Sequence, residues 1–328
     1  MEKRSHFTGS SNVAVGSNAL RMNTASNNTA IGFESMESNS SGTLNTAVGY
    51  RSLEDNTTGS NNTAMGENAL ANNTTASNNT ALGSGALKVN TTGIKNTAIG
   101  TSTLTANITG SENTAIGFNA LAANTSSTGN VAVGANALQT ATTGSSNTAV
   151  GYNALMNATI ATHNTAIGYQ NLNALTSGSQ NIAVGSNILN ALTVSTNNIG
   201  IGYNILTANV SGGFNIGIGF NILTSSTSSN NIGIGNNALA ASTTGQQNIA
   251  IGMGALDQLT TSSSNIGLGA NVLGATTTGT GNTAFGTSAM FNNTTGGSNV
   301  AIGHSALLTN TTGSGLTCIG ENANTGGV

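Results

Sequence analysis

The chain has 328 residues and a net charge of −3, with 5% charged and 3% aromatic residues, 45 glycines, one cysteine and neither proline nor tryptophan. Six Lys and Arg provide no basic stripe to neutralise phosphates, which argues against nucleic acid as a partner. An apolar content of 37% with scarce charge argues against disorder, and a single cysteine excludes an internal disulfide.

Residues 1–8 form a short charged N-terminal segment in which Met1-Glu2-Lys3-Arg4 has no apolar stretch behind it. No apolar run approaches the length of a bilayer span, so neither a signal peptide nor membrane insertion is expected. The remainder, 9–328, is expected to be a single β-solenoid repeat domain.

From Gly16 a motif of the type Asn-Thr-Ala-Ile-Gly recurs through Gly32, Gly49, Gly66 and onward to Gly320, nineteen times at a spacing of 17 with two steps of 16. Asn stands four residues before the glycine in every coil but the last, where Leu316 replaces it. Two before it lies Ala, or Gly at Gly200, Gly217, Gly233 and Gly267, or finally Cys318. One before it is an aliphatic residue, with Phe285 the exception, and four after it is Leu in sixteen coils. The aliphatic and Leu columns are both predicted to be buried. A glycine seven residues before the motif glycine, as at Gly59, Gly144 and Gly296, predicts a turn with positive φ.

A 17-residue unit is too short for helical repeats and alternates with period two, which predicts an all-β chain: a parallel β-solenoid, or β-roll, of about nineteen 17-residue coils. Fixing one coil costs roughly 17–34 kcal/mol of backbone entropy, while two or three buried aliphatics return only about 1.5–3 each. Coils therefore fold only by stacking, at about 4.8 Å. Stacking aligns Asn28, Asn45, Asn62, Asn79, Asn96, Asn113, Asn147, Asn164 and Asn181 into a structural ladder of side-chain amides. Proline would interrupt such pairing, and it is absent.

Alternation places Asn, Ala and Gly on one strand face and Thr with Ile on the other. The restriction to small residues fits either a strand sandwiched between its own core and another chain, or a thin solenoid whose interior holds them. No Asp, Glu, Lys or Arg occurs from Asn113 to Leu256, and so long a neutral surface suggests assembly.

Motifs such as Asn113-Thr114-Ala115-Ile116-Gly117 and Asn147-Thr148-Ala149-Val150-Gly151 resemble the head repeats of YadA-like trimeric autotransporter adhesins and similar repeats of phage and viral fibres. The resemblance covers nearly the whole chain from Gly9. It implies three chains packed about an axis, adhesion to a host surface, and an extracellular or virion-surface location. The expected function is a structural fibre or surface-adhesion protein acting by rigid multivalent contact; the alternatives are a self-assembling extracellular filament subunit and an ice-binding β-solenoid. The expected partners are copies of itself, as a trimer or filament, and a host-surface glycan or protein.

After the motif glycine come Phe33, Tyr50, Phe118, Tyr152, Tyr169, Tyr203 and Phe220, a candidate ligand or partner stripe. A Thr row including Thr29, Thr46, Thr63, Thr80, Thr97 and Thr114 resembles ice-binding solenoids, although the column turns to Ile at Ile182, Ile199 and Ile216. His6, His163 and His304 occupy unrelated repeat positions, so no metal site is expected. No cofactor is expected either. The chain lacks paired catalytic carboxylates, a His-supported nucleophile and a phosphate loop, and is not expected to be an enzyme. The sequons at Asn56, Asn90 and Asn310 are expected to be turn chemistry, and Cys318 a small buried residue.

Overall fold

The computed structural model describes residues 9–324; the charged segment at 1–8 lies outside the described residues. The chain is all-β, with nineteen parallel strands and no helix among the described residues. It divides into two compact units, one ending at Asn164 and one beginning at Thr165.

The first unit runs from β1 (Val13–Val15) to β9 (Thr148–Val150) and the second from β10 (Thr165–Tyr169) to β19 (Thr317–Ile319). Each is a parallel β-solenoid whose strands pair with the equivalent residues of the next coil, as Ala115 does with Ala132 and Ile249 with Ile266. The two 16-residue steps are absorbed outside the strands, because Val13 still pairs with Thr29 and Ile216 with Ile232.

Most strands are three residues long, from the position of Thr to that of Ile, and the motif glycine ends them. Its φ lies far into the region that side chains avoid, +126° at Gly117, and a Cβ there would meet the next glycine's carbonyl oxygen at 2.7 Å. Both constraints act in the stack, and together they explain why no coil departs from glycine.

The interior is built from two columns. Ala of the strand is fully buried, as at Ala98, Ala115 and Ala149, and it faces the fully buried column of Leu87, Leu104 and Leu121. These leucines have φ near +50°, a conformation costing about 1–3 kcal/mol for a non-glycine residue. Burial of the side chain contributes about 1.5–3 kcal/mol, enough to keep Leu where Gly or Asn would relax the backbone.

Two expectations are corrected. The aliphatic column before the motif glycine is not buried: its side chains point outward, with Ile31 39%, Met65 40%, Leu82 42% and Ile201 39% exposed. Alternation requires this, since the intervening Ala points inward and the coil has only one interior. The small column is thus the solenoid's own core and not the seam of a sandwich. The turn glycines Gly59, Gly144 and Gly296 do not have positive φ. They are small because of close approach, a Cβ at Gly59 meeting the Ala76 carbonyl oxygen at 2.2 Å. Positive φ falls two residues later instead, at Asn61, Ser146 and Ser298.

Candidate functional site

Three side-chain systems stand out on this scaffold, and each follows from coil register. The first is the Asn ladder, and it is structural. Asn28, Asn45, Asn62, Asn79, Asn96, Asn113, Asn147, Asn164 and Asn181 are all buried. The Asn45 Oδ1 accepts the backbone N–H of Asn62 at 2.9 Å, and the Asn45 amide donates to the Gly59 carbonyl at 2.8 Å. The same pair of bonds recurs at Asn79, Asn96 and Asn113, and again in the second unit, where Asn198 donates its N–H to the Asn181 Oδ1 at 3.0 Å. Each side chain thus satisfies the backbone of the next coil, and direct amide-to-amide bonds of 3.1–3.3 Å are added in part of the column.

A second ladder, unforeseen in the sequence, lies seven residues after the motif glycine. There Asn39 donates to the Asn23 Oδ1 at 2.6 Å, Asn56 to Asn39 at 2.7 Å, Asn73 to Asn56 at 2.8 Å, Asn107 to Asn90 at 2.7 Å and Asn124 to Asn107 at 2.7 Å. Asn56 and Asn90 are fully buried in it, so their sequons are closed to a glycosyltransferase in the folded protein. Column counting would have found this ladder, but the expectation that Asn in turns needs no further explanation concealed it. Several later coils place Ala141, Ala158, Leu175, Leu192 and Leu259 in the column, all fully buried, and the ladder bond returns where Asn310 donates to the Asn293 Oδ1 at 2.9 Å.

The second system is a charged band on neighbouring coils. Arg51 Nε donates to Glu34 Oε2 at 2.7 Å and lies 3.7 Å from Glu54, while Arg21 Nε donates to Glu37 at 2.6 Å. Glu34, Glu37 and Glu54 are the only triple of potential metal-ligating side chains among the described residues, their oxygens lying within 4.8 Å of one another. Two guanidinium groups already engage these carboxylates, and the arrangement is an ion-pair network. Partial burial pushes the Glu54 carboxyl above its ordinary range, and Arg51 opposes that shift. The hydrogen bond to Glu34 raises Arg51 in turn.

The third system is the outward face of each sheet. Thr29, Thr46, Thr63, Thr80, Thr97 and Thr114 are half-buried on it beside the aliphatic column. In part of the second unit both outward positions become aliphatic, as Ile182 with Val184, Ile199 with Ile201, Ile216 with Ile218 and Ile232 with Ile234. β10, β11 (Ile182–Ile188), β12 (Ile199–Ile205), β13 (Ile216–Phe220) and β14 (Ile232–Asn236) run past the motif glycine and extend this face.

The aromatic column occupies one edge of the same face. Phe33, Tyr50, Phe118, Tyr152, Tyr169, Tyr203 and Phe220 are 42–56% exposed. Phe33 and Tyr50 stack with centroids 5.6 Å apart and planes 8° from parallel, and the Arg51 guanidinium lies 5.2 Å from the Tyr50 ring. Tyr203 and Phe220 stack at 5.5 Å and 13°. The structure therefore brings Phe33 to Tyr50 and Tyr203 to Phe220 along the column, while Phe118 lies between the coils of Thr101 and Ala135. Cys318 is only half-buried, because it lies in the last described coil.

No protein-family model matches the chain, and no curated protein matches it.

Proposed function

We propose that the chain is a structural fibre or surface-adhesion segment that associates with further copies of itself through the outward faces of its sheets, as a trimer. The observation that carries this reading is the uncharged aliphatic face just described. At about 3.3 Å per residue and 4.8 Å per strand, the three-residue face of nine or ten coils covers about 430–480 Å². The face of each unit alone thus supplies more than half of the roughly 800 Å² that each partner contributes to a standard interface. Contiguous apolar patches above a few hundred Å² mark interaction sites on soluble proteins. The absence of charge from Asn113 to Leu256 leaves nothing on that stretch to repel a second copy. A stiff multimer presenting many equivalent coils suits adhesion by weak contacts, since linked sites raise avidity without new contacts.

Placing Lys on this face at Ile201 and Ile234 tests the assembly. I201K with I234K is expected to reduce the sedimenting mass to that of one chain while far-ultraviolet circular dichroism is unchanged. An unaltered mass would show that this face does not hold the assembly together. A second reading, ice binding, is favoured by the six consecutive half-exposed Thr residues in register from Thr29 to Thr114. It requires thermal hysteresis from single chains.

A further inference from the structure

The aromatic column is interrupted twice in the same way. In the second unit Tyr169 pairs in register with Ser186, Ser186 with Tyr203, and Tyr203 with Phe220. Ser186 thus leaves a one-coil gap between two tyrosines. One face of Tyr203 is covered by Phe220, and the opposite face is directed at the coil of Ser186, whose side chain is too short to cover a ring. In the first unit Phe118, Ala135 and Tyr152 repeat the pattern, with the Phe118 and Ala135 carbonyls accepting the N–H of Asn136 and Asn153, one coil on in each case. Ala135 and Ser186 are half-buried at the floor of these gaps, while the flanking rings are about half exposed. The Phe33–Tyr50 stack, by contrast, has no gap and is covered by Arg51.

We propose that each gap is a binding slot for one pyranose ring of a neutral glycan, held between the two aromatic side chains. The proposal rests on the adhesive reading above and names its ligand. Two coils span about 9.6 Å. Two carbon contacts of about 3.5–4.0 Å each leave about 2 Å for the ligand itself. That matches the thickness of a puckered saturated ring, whereas a flat nucleobase would leave the slot loose. Sugar C–H groups carry partial positive charge toward the negative face of an aromatic ring, and the tyrosine hydroxyls and Ser186 Oγ supply hydrogen bonds at the rim and floor. No Asp, Glu, Lys or Arg occurs between Asn113 and Leu256, so the slots offer no ion pair to a sialic acid, a sulfated sugar or a nucleotide phosphate.

The protein carries its own probe. It has four tyrosines and no tryptophan, and three of the four, Tyr152, Tyr169 and Tyr203, wall the slots. Tyrosine fluorescence and saturation-transfer NMR are to be recorded on the full chain against a panel of neutral probes: the methyl pyranosides of glucose, galactose, mannose, fucose, xylose, N-acetylglucosamine and N-acetylgalactosamine, and their linear tetrasaccharides. Adenosine and sialic acid serve as contrasts. We expect saturable millimolar binding of at least one neutral saccharide and none of the contrasts. Filling both gaps with S186Y and A135Y, in a column that already accepts rings on adjacent coils, is expected to weaken that binding at least 10-fold with circular dichroism and mass unchanged. The slot is overturned if no neutral saccharide binds, if adenosine binds better, if the filled variant binds as wild type, or if filling changes the oligomeric mass, which would make the column part of the interface. A filled variant that adheres to cells as wild type would reject the slots and leave the adhesive reading intact. Saccharide binding in solution without any adhesion would do the reverse.

Discussion

Gly200 and Ile188 are complementary in volume. A Cβ on Gly200 would lie 2.2 Å from Ile188 Cγ2, and the pairing recurs with Gly217 against Ile205 at 2.3 Å and Gly233 against Ile222 at 2.5 Å. Elsewhere the same two positions hold smaller pairs, such as Ala132 and Ala120, both fully buried. The core therefore conserves volume across two columns, as close packing demands. G200A is expected to destabilise by about 1–3 kcal/mol through overpacking, and I188A by about 2–5 through a cavity. The double variant, which recreates the Ala–Ala pair, is expected to cost less than the sum, with a coupling of about 0.5–3 kcal/mol in chemical denaturation. Strict additivity would show that the two residues do not share space. The sequence displays both columns, yet their coupling is invisible there, because Ile188 is the neighbour of Gly200 only once the coils are stacked.

Within each stack, the polar ladders and the ion-pair band set how the coils tolerate change. Asn73 donates to Asn56 and accepts from Asn90 at 3.1 Å. N73L is therefore expected to strand one acceptor and one donor, each costing about 1–3 kcal/mol, even though Leu occupies this column at Leu175 and Leu192. A Leu there is tolerated where its neighbours are apolar, and the melting transition of N73L measures the difference. An undiminished melting temperature would mean that water satisfies the broken ladder.

For Glu54, burial raises the folded-state pKa above the unfolded value, so the folded state binds the proton more tightly. Its contribution to stability is present at acidic pH and is lost as pH rises through the glutamate range. E54Q, which cannot ionise, is expected to flatten that fall in a pH series of denaturation midpoints. A steeper fall in E54Q would contradict the assignment to burial. Composition gave no hint of this cluster; only laying out the columns two and five residues after the motif glycine places Glu34, Glu37, Arg51 and Glu54 on adjacent coils.

For the molecule as a whole, periodicity alone was enough to anticipate parallel strands, the 17-residue register and the Asn ladder, because a repeated residue in a stacked coil must meet its own copies. Inside and outside were harder to read. A small residue and a large apolar one alternate along the strands, and hydrophobicity alone assigned the larger one to the core, whereas the narrow interior accommodates only the small strand residue against the columns that follow the motif glycine. That inversion moves the apolar surface of Ile31, Met65, Leu82 and Ile201 outward. Self-association through this surface is what the proposed function requires. Sedimentation equilibrium of the purified chain tests it most directly: a particle of three chain masses, unchanged across a dilution series, is the predicted result. A single-chain mass at every concentration would contradict it.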